Sequence, residues 1–342
     1  MHLHALKSPC LANMIRKLKF IWQIALVTLI LSSCTREEST TVLRLAHSLD
    51  TKHPVHKAME HMNQRLQVLS KNTMRIQIYP NGQLGNEREL IELLQIGSLA
   101  MTKVSASPLE SFVPVMQVFN IPYIFRDSRH YRAVLDSDIG RSLLQAPTIA
   151  RLRGLGFYDA GARSFYTVSH PIMTATDLAG LKIRVQESAT ALQMVTALGG
   201  APTPIAWGEL YTALQQGVVD GAENNPVSFY LSGHYEICQY FTLDEHTAVP
   251  DLLLIGTFAW DGLSEQQQDW LQQAATDSVI YQRRLWQLEN DAALESIKAA
   301  GVQIIRPDLK EFQGLASAMH SAYANTEVGN MIEHIKAFPD GG

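Results

Sequence analysis

Apolar positions along the chain follow two periods, and their alternation predicts an α/β fold. Val42 to Ala46 reads as a first strand. After Pro54, Val55, Met59, Met62, Leu66 and Leu69 recur at helical spacing. At 74–79, Met74, Ile76 and Ile78 alternate with Arg75, Gln77 and Tyr79, the period of a strand. The opening is therefore β-α-β. Pro80-Asn81-Gly82 predicts a turn, and Asn86 and Glu89 have the spacing of a capping box at a helix start. Ala100 to Val104 predicts the next strand, ending at Ser105. An irregular stretch from Phe112 to Phe125, a helix near Ser128 to Leu135 and a strand from Leu155 to Asp159 follow.

The stretch 181–226 predicts a strand-helix-helix-strand unit. Leu181 to Val185 is a short strand, and Gly199-Gly200 closes the helix after it. A link bounded by Pro202 and Pro204 leads to a second helix, Trp207 to Gln216, which Gly217 ends, and Val218 to Ala222 is the second strand. Leu252 to Trp260 is continuously apolar, the pattern of a strand buried on both faces. Between Gly262 and Gly301 lie 38 residues without Gly or Pro, opened by Ser264 and Gln267 at capping-box spacing. As one helix, 30 such residues would reach about 45 Å and cross two lobes; a break near Asn290-Asp291 would make two ordinary helices instead. Val302 to Ile305 and a helix after Pro307-Asp308 complete the pattern.

Length and composition add the setting. A chain of 342 residues, 46% hydrophobic, can fill two cores. Residues 1–33 read as a signal peptide: Arg16-Lys17-Leu18-Lys19 precedes an apolar run, Phe20 to Leu31, too short to span a bilayer as a stop-transfer helix. Leu31-Ser32-Ser33-Cys34 looks like a lipobox, so Cys34 is expected to carry a lipid, with 34–41 as a tether. The start lies at Met1 or Met14. Thr35, in place of Asp, favours the outer membrane, facing the periplasm. Without the leader, 24 basic residues face 33 acidic ones, a formal −9. That sign speaks against nucleic-acid partners and leaves membrane attachment to the lipid alone. Cys10 falls in the leader, so Cys238 remains without a disulfide partner, in an apolar setting where a buried inert thiol is expected.

The candidate chemistry sits where strands end, because ligands of open α/β sheets bind there. Arg184 ends one predicted strand, Arg163 follows another, and Glu223-Asn224 ends a third. A guanidinium grips a carboxylate bidentately while a side-chain amide both donates and accepts, a combination suited to a small hydroxylated carboxylate. The same residues have plainer readings: a solvated strand-end charge for Arg184, turn chemistry for Asn224-Asn225-Pro226, and helix-end electrostatics for Glu87. Against an enzyme, the chain has no Gly-x-Ser-x-Gly elbow, no phosphate-binding Walker loop and no dinucleotide glycine pattern, so no cofactor is expected. His47, His53, His56 and His61 leave a metal-binding lipoprotein as a rival reading.

The blocks Ala46-His47, Tyr79 to Gly85, Gly161 to Ser164, Gly180 to Val185, Pro202 to Pro204, Glu209 to Gln215 and Val219 to Asn224 occur in that order. Together they resemble the solute-binding proteins of tripartite ATP-independent periplasmic (TRAP) transporters, over roughly Val42 to Pro307. The resemblance implies a two-lobed periplasmic binding protein, class II-like, with a long helix crossing both lobes. Lobe I would take 42–159 plus about 250–289, and lobe II 160–249 plus about 290–342. It would close on an organic acid and deliver it to small and large membrane subunits driven by a sodium gradient. The resemblance also assigns roles: Arg184 pairs with the ligand carboxylate, Arg163 assists, Asn224 binds ligand oxygens and Trp207 walls the pocket, while Gln186, Glu87 and His47 vary with ligand class. Ser105 stands where sialic-acid binders of the family carry a glutamate. His53-Pro54-Val55-His56, Ser164-Phe165-Tyr166 and Gly233 to Glu236 look like the branch that takes hexuronates and aldonates, from which Gln186 and Glu187 depart. A C4-dicarboxylate ligand, or presentation of the ligand to a sensor kinase, are the alternatives.

Overall fold

The computed structural model describes residues 40–339 and, within the leader, Met14, Arg16, Leu18, Lys19 and Trp22. The chain divides into two compact units, Met1–Thr40 and Thr41–Gly342. The described leader residues are helical, while Cys34 and the predicted lipobox lie outside the described residues. Among the described residues no helix is long and apolar enough to cross a membrane.

Two mixed sheets organise the second unit. The first contains β1 (Thr41–Ala46), β2 (Met74–Tyr79), β3 (Met101–Ser105), β4 (Leu152–Tyr158) and β10 (Asp251–Gly256), in the order β2-β1-β3-β10-β4. The second contains β5 (Arg163–Thr167), β6 (Lys182–Val185), β7 (Ala201–Pro204), β8 (Gly221–Asn224), β9 (Tyr240–Thr247) and β11 (Gln303–Ile305), in the order β11-β9-β5-β8-β6-β7. The backbone passes between sheets after β4, after β9 and along the long helix. Each sheet is thus the centre of one lobe, and both passages between strands are only a few residues long.

Residue chemistry explains most of these elements. Strand β10 is buried at all six positions because β3 and β4 flank it and helices cover its faces. Its apolar pattern runs past the strand, however, since Thr257–Asp261 is a short helix. The link bounded by Pro202 and Pro204 is in fact strand β7, parallel to β6. As an edge strand β7 has one unpaired side, where proline's missing N–H costs little. The unit 181–226 is therefore β-α-β-α-β.

Residues Glu265–Ala299 form one unbroken helix of 35 residues, about 52 Å long at 1.5 Å per residue. Ser264 and Gln267 make the expected reciprocal cap, and Asn290-Asp291 does not interrupt the helix. It packs on helix Pro54–Leu69 and β4 of the first lobe, and on helix Pro226–Leu231 of the second. Arg65 to Asp277 at 2.8 Å and Lys57 to Glu289 at 3.1 Å tie it to the first of these. Trp286 anchors its middle beside Gly161, where a Cβ would sit 3.3 Å from the indole nitrogen. Gly161 also holds φ at +62°, so this glycine serves both the turn and the close approach.

Candidate functional site

The carboxyl ends of β1, β3, β6 and β8 converge on two adjoining cavities. The larger, ≈ 340 Å³, is walled in part by Ser48, Asn81, Glu87, Arg184, Gln186 and Trp207. The smaller, ≈ 40 Å³, shares Ser48, Glu87, Gln186 and Trp207 and adds Arg163, Asn224 and Lys103. Side chains meet across the lobes here: Ser105 Oγ donates to Gln186 Oε1 at 3.2 Å, and His53 Nε2 lies 3.3 Å from Ser228 Oγ.

Arg184 is 2% exposed, and its Nε donates to the carbonyl of Ile205 at 2.8 Å. Burial lowers its pKa, though a guanidinium stays charged. Among the described residues no carboxylate lies within ion-pair distance, and the buried Nη1 has no hydrogen-bond partner. The Trp207 ring lies 5.9 Å from its Cζ. Ser48 Oγ is the second unpartnered buried polar atom at this cavity. An unpaired buried cation is costly unless something supplies the missing partner.

Arg163 is also buried, but its partners come from the protein. Its Nε and Nη2 donate to the two carboxylate oxygens of Glu223, Nη2 also reaches the Glu223 carbonyl at 2.8 Å, and Nη1 donates to Asn224 Oδ1 at 3.0 Å. Burial opposes ionisation of Glu223, yet Arg163 and His246 outweigh it and hold the pKa down to about 2. Burial likewise opposes charge on His246, but Asp244 and Glu223 keep its pKa up at about 9. The result is a compensated network of Arg163, Glu223, His246 and Asp244. Strand β8 separates the two arginines' strands and supplies Glu223.

Glu87 is fixed in the same manner. Its Oε1 accepts from Lys103 Nζ at 3.1 Å and from the Ser105 N–H at 3.2 Å, while Lys103 also bonds Asp251 at 3.0 Å. Lys103 is buried and stays charged through these two carboxylates. Asn224 Oδ1 is taken by Arg163 and Asn225, which leaves its Nδ2 as the available donor.

His47 lies behind the cavities. It continues the inward face of Leu43 and Leu45, against the helix that carries His56. Its Nδ1 accepts the Leu49 N–H at 3.1 Å, so Nε2 must donate to His56 Nδ1 at 2.9 Å. Burial, then Lys103, lowers its pKa to about 2, so it is neutral. Among the described residues no group of three His, Cys, Asp or Glu side chains could hold a metal ion.

Sequence reasoning missed Ser48 and Asn81 as cavity residues, and Lys103 as the group that fixes Glu87. The alternation along β1 carries a signal for Ser48, since His47 belongs to the face of Leu43 and Leu45 and its neighbour to the other. Nothing in the sequence couples Lys103 to Glu87.

The model of bacterial extracellular solute-binding proteins of family 7 matches residues 45–328. A TRAP periplasmic solute-binding protein from Xanthobacter autotrophicus PY2, solved with bound β-D-galacturonate, is 36% identical with a TM-score of 0.84, over 87% of this chain and 100% of its own. Its counterpart from Pseudomonas putida F1, with bound D-glucuronate, is 33% identical with a TM-score of 0.85, over 88% of this chain and 98% of its own. The C4-dicarboxylate-binding periplasmic protein DctP of Rhodobacter capsulatus is 28% identical over 86% of this chain and 90% of its own. With its two-sheet architecture and its cavity between the lobes, the chain belongs to family 7 of the bacterial extracellular solute-binding proteins, the solute-binding components of TRAP transporters.

Proposed function

We propose that this protein binds a sugar acid of the hexuronate class and hands it, chemically unchanged, to the small and large membrane subunits of a TRAP transporter. The observation that carries the reading is Arg184: a buried guanidinium facing a ≈ 340 Å³ cavity with no carboxylate partner among the described residues. The Ile205 carbonyl fixes Nε and leaves both terminal nitrogens for a ligand carboxylate, in a bidentate pair. Trp207 offers an apolar wall, and Ser48, Asn81, Gln186 and Glu87 offer hydroxyl partners. The volume is at the lower end for a small-ligand site, roughly 300–1,000 Å³, in keeping with a monosaccharide.

Charge bookkeeping within the cavities favours one carboxylate over two. Glu223 takes Arg163, and Glu87 and Asp251 take Lys103, so one cation is left free among the described lining residues. The larger cavity also carries Glu87, Glu89, Glu187 and Glu209, which accept from hydroxyls and repel a second carboxylate. The C4-dicarboxylate reading keeps the Rhodobacter relative in its favour. Arg163 and Asn224 complete the smaller cavity, Arg163 by holding the wall and Asn224 through its free Nδ2. His47 has a supporting role behind it.

The two lobes, 42–159 with about 250–289 and 160–249 with about 290–342, close on the ligand and gain as much as its preference for the closed form. Cys34 carries the lipid that holds the protein at the periplasmic face of a membrane. The test is a thermal-shift and calorimetry panel of D-glucuronate, D-galacturonate, aldonates, C4-dicarboxylates and 2-oxo acids, with neutral hexoses as controls. A hexuronate should raise the melting temperature by mass action and bind tightest. Tightest binding of a dicarboxylate, or equal binding of a neutral hexose, overturns the reading, and consumption of the ligand revives an enzyme.

A further inference from the structure

We infer that the end of the first sheet opposite the cavities is a membrane-apposed face, built to lie on anionic phospholipid headgroups. Three loops meet there, before β3, before β4 and after β10. They present Ile96, Ile149 and Phe258, which are 72%, 77% and 77% exposed. The loops form one surface: Gln95 Nε2 donates to the Ala150 carbonyl at 3.0 Å, the Thr257 N–H to the Arg151 carbonyl at 2.9 Å, and the Phe258 ring lies over Gly97. Isolated exposed apolar side chains are ordinary; three large ones on one interlocked surface mark a contact site.

Arginines frame this surface. Arg44 reaches the Ser98 carbonyl at 2.9 Å, Arg153 lies 4.4 Å over the Trp260 ring, and Arg151 is exposed beside Ile149. None of the three has a carboxylate within ion-pair distance among the described residues; Asp261 ends the short helix after β10 and Glu265 starts the long one. Three guanidinium groups without a carboxylate partner thus stand on this surface of a negatively charged chain, where headgroup phosphates would supply the missing partners.

Where the chain enters selects the occupant. Strand β1 begins at Thr41 on this same end, since Leu45 pairs with Met101, the first residue of β3, and Gly256 with Leu152. Six residues lie between Cys34 and Thr41, and the seven Cα–Cα steps reach about 25 Å at most even when fully extended. An acyl group on Cys34 would hold this end near the bilayer, and at such effective concentrations a weak surface suffices. For proximity alone, the inference rests on the proposed lipid anchor.

The test places an environment-sensitive fluorophore on Ile149→Cys in the full chain, with Met173→Cys, on the second lobe, as the reference position. Both the acylated chain and the Cys34→Ser chain are measured with phosphatidylethanolamine/phosphatidylglycerol vesicles and with phosphatidylcholine vesicles. A blue shift at position 149 and not at 173, on the anionic vesicles, is expected. Neutralising Arg44, Arg151 and Arg153 to Gln should weaken partition of the Cys34→Ser chain by about a hundredfold, each cation being worth roughly fivefold. Unchanged uronate binding would show that the variant folds. No shift at saturating anionic lipid, an equal shift at 173, a shift that requires the permease, or a lipid-free dimer seen by sedimentation overturns the inference. The mass of Cys34 reports the anchor separately, because partition of the Cys34→Ser chain tests the face whether or not acylation occurs.

Discussion

Arg163 and Arg184 are the same residue type on one sheet, equally buried, on the two strands that flank β8. One is neutralised on every side by the protein, and the other has a buried terminal nitrogen without a partner among the described residues. The difference teaches how a binding site is told from a structural ion pair. Desolvation is equally costly for both, so the uncompensated guanidinium is the one kept for a guest. Glu223 decides which is which, because its place on β8 lets it clasp Arg163.

The sharpest way to break this comparison is to remove each arginine in turn. Arg163→Ala leaves Glu223 buried with His246, at 3.6 Å, as its remaining ion-pair partner among the described residues, so chemical denaturation should show a loss of about 3 to 5 kcal/mol. Arg184→Ala should leave stability unchanged or higher, while calorimetry with a hexuronate finds binding weaker by about a hundredfold or more. If both variants lose stability alike, or Arg184→Ala binds normally, the two arginines do not differ in the way described.

The pH dependence of stability sharpens the contrast further. Glu223, at about 2 in the fold against an ordinary 4.5, contributes stability present above pH 4.5 and lost as pH falls towards 2. His47 and His53, held neutral at about 2 and 3 by burial and then by Lys103, contribute stability that is lost as pH falls below 6.5. His246, held at about 9, works in the opposite direction: its contribution is complete below 6.5 and is lost as pH rises through 9. Melting temperature should therefore peak near pH 6.5, and His246→Gln should flatten the alkaline limb alone. A profile that keeps rising to pH 9 would contradict the network around Arg163. The smallest effect is expected at the wall of the free arginine, where Trp207→Ala should weaken hexuronate binding by roughly 0.5–2 kcal/mol, a few-fold to about thirtyfold by titration.

Much of this molecule was legible in its residues. Period-2 and period-3.6 patterns located most strands and helices, and the two capping boxes at Asn86 and Ser264 are formed as their spacing implied. Those features depend on neighbours within a few positions, which a sequence displays directly. The ordered motif blocks identified the family, and Arg184, Gln186, Glu87 and Trp207 do line one cavity. The Pro-bounded link misled because proline argues against a strand unless the strand is at an edge, and edges are a property of the sheet.

Left to itself, then, the sequence determined the α/β class, the family and several of the polar side chains that line the cavities, though not Ser48 or Asn81. Which of those side chains is free was settled only by the folded molecule. Charge pairing joins residues far apart in the chain, such as Arg163 with Glu223 and Lys103 with Asp251. A buried charge takes its role from whichever opposite charge the fold brings within a few ångströms, and no local pattern encodes that distance.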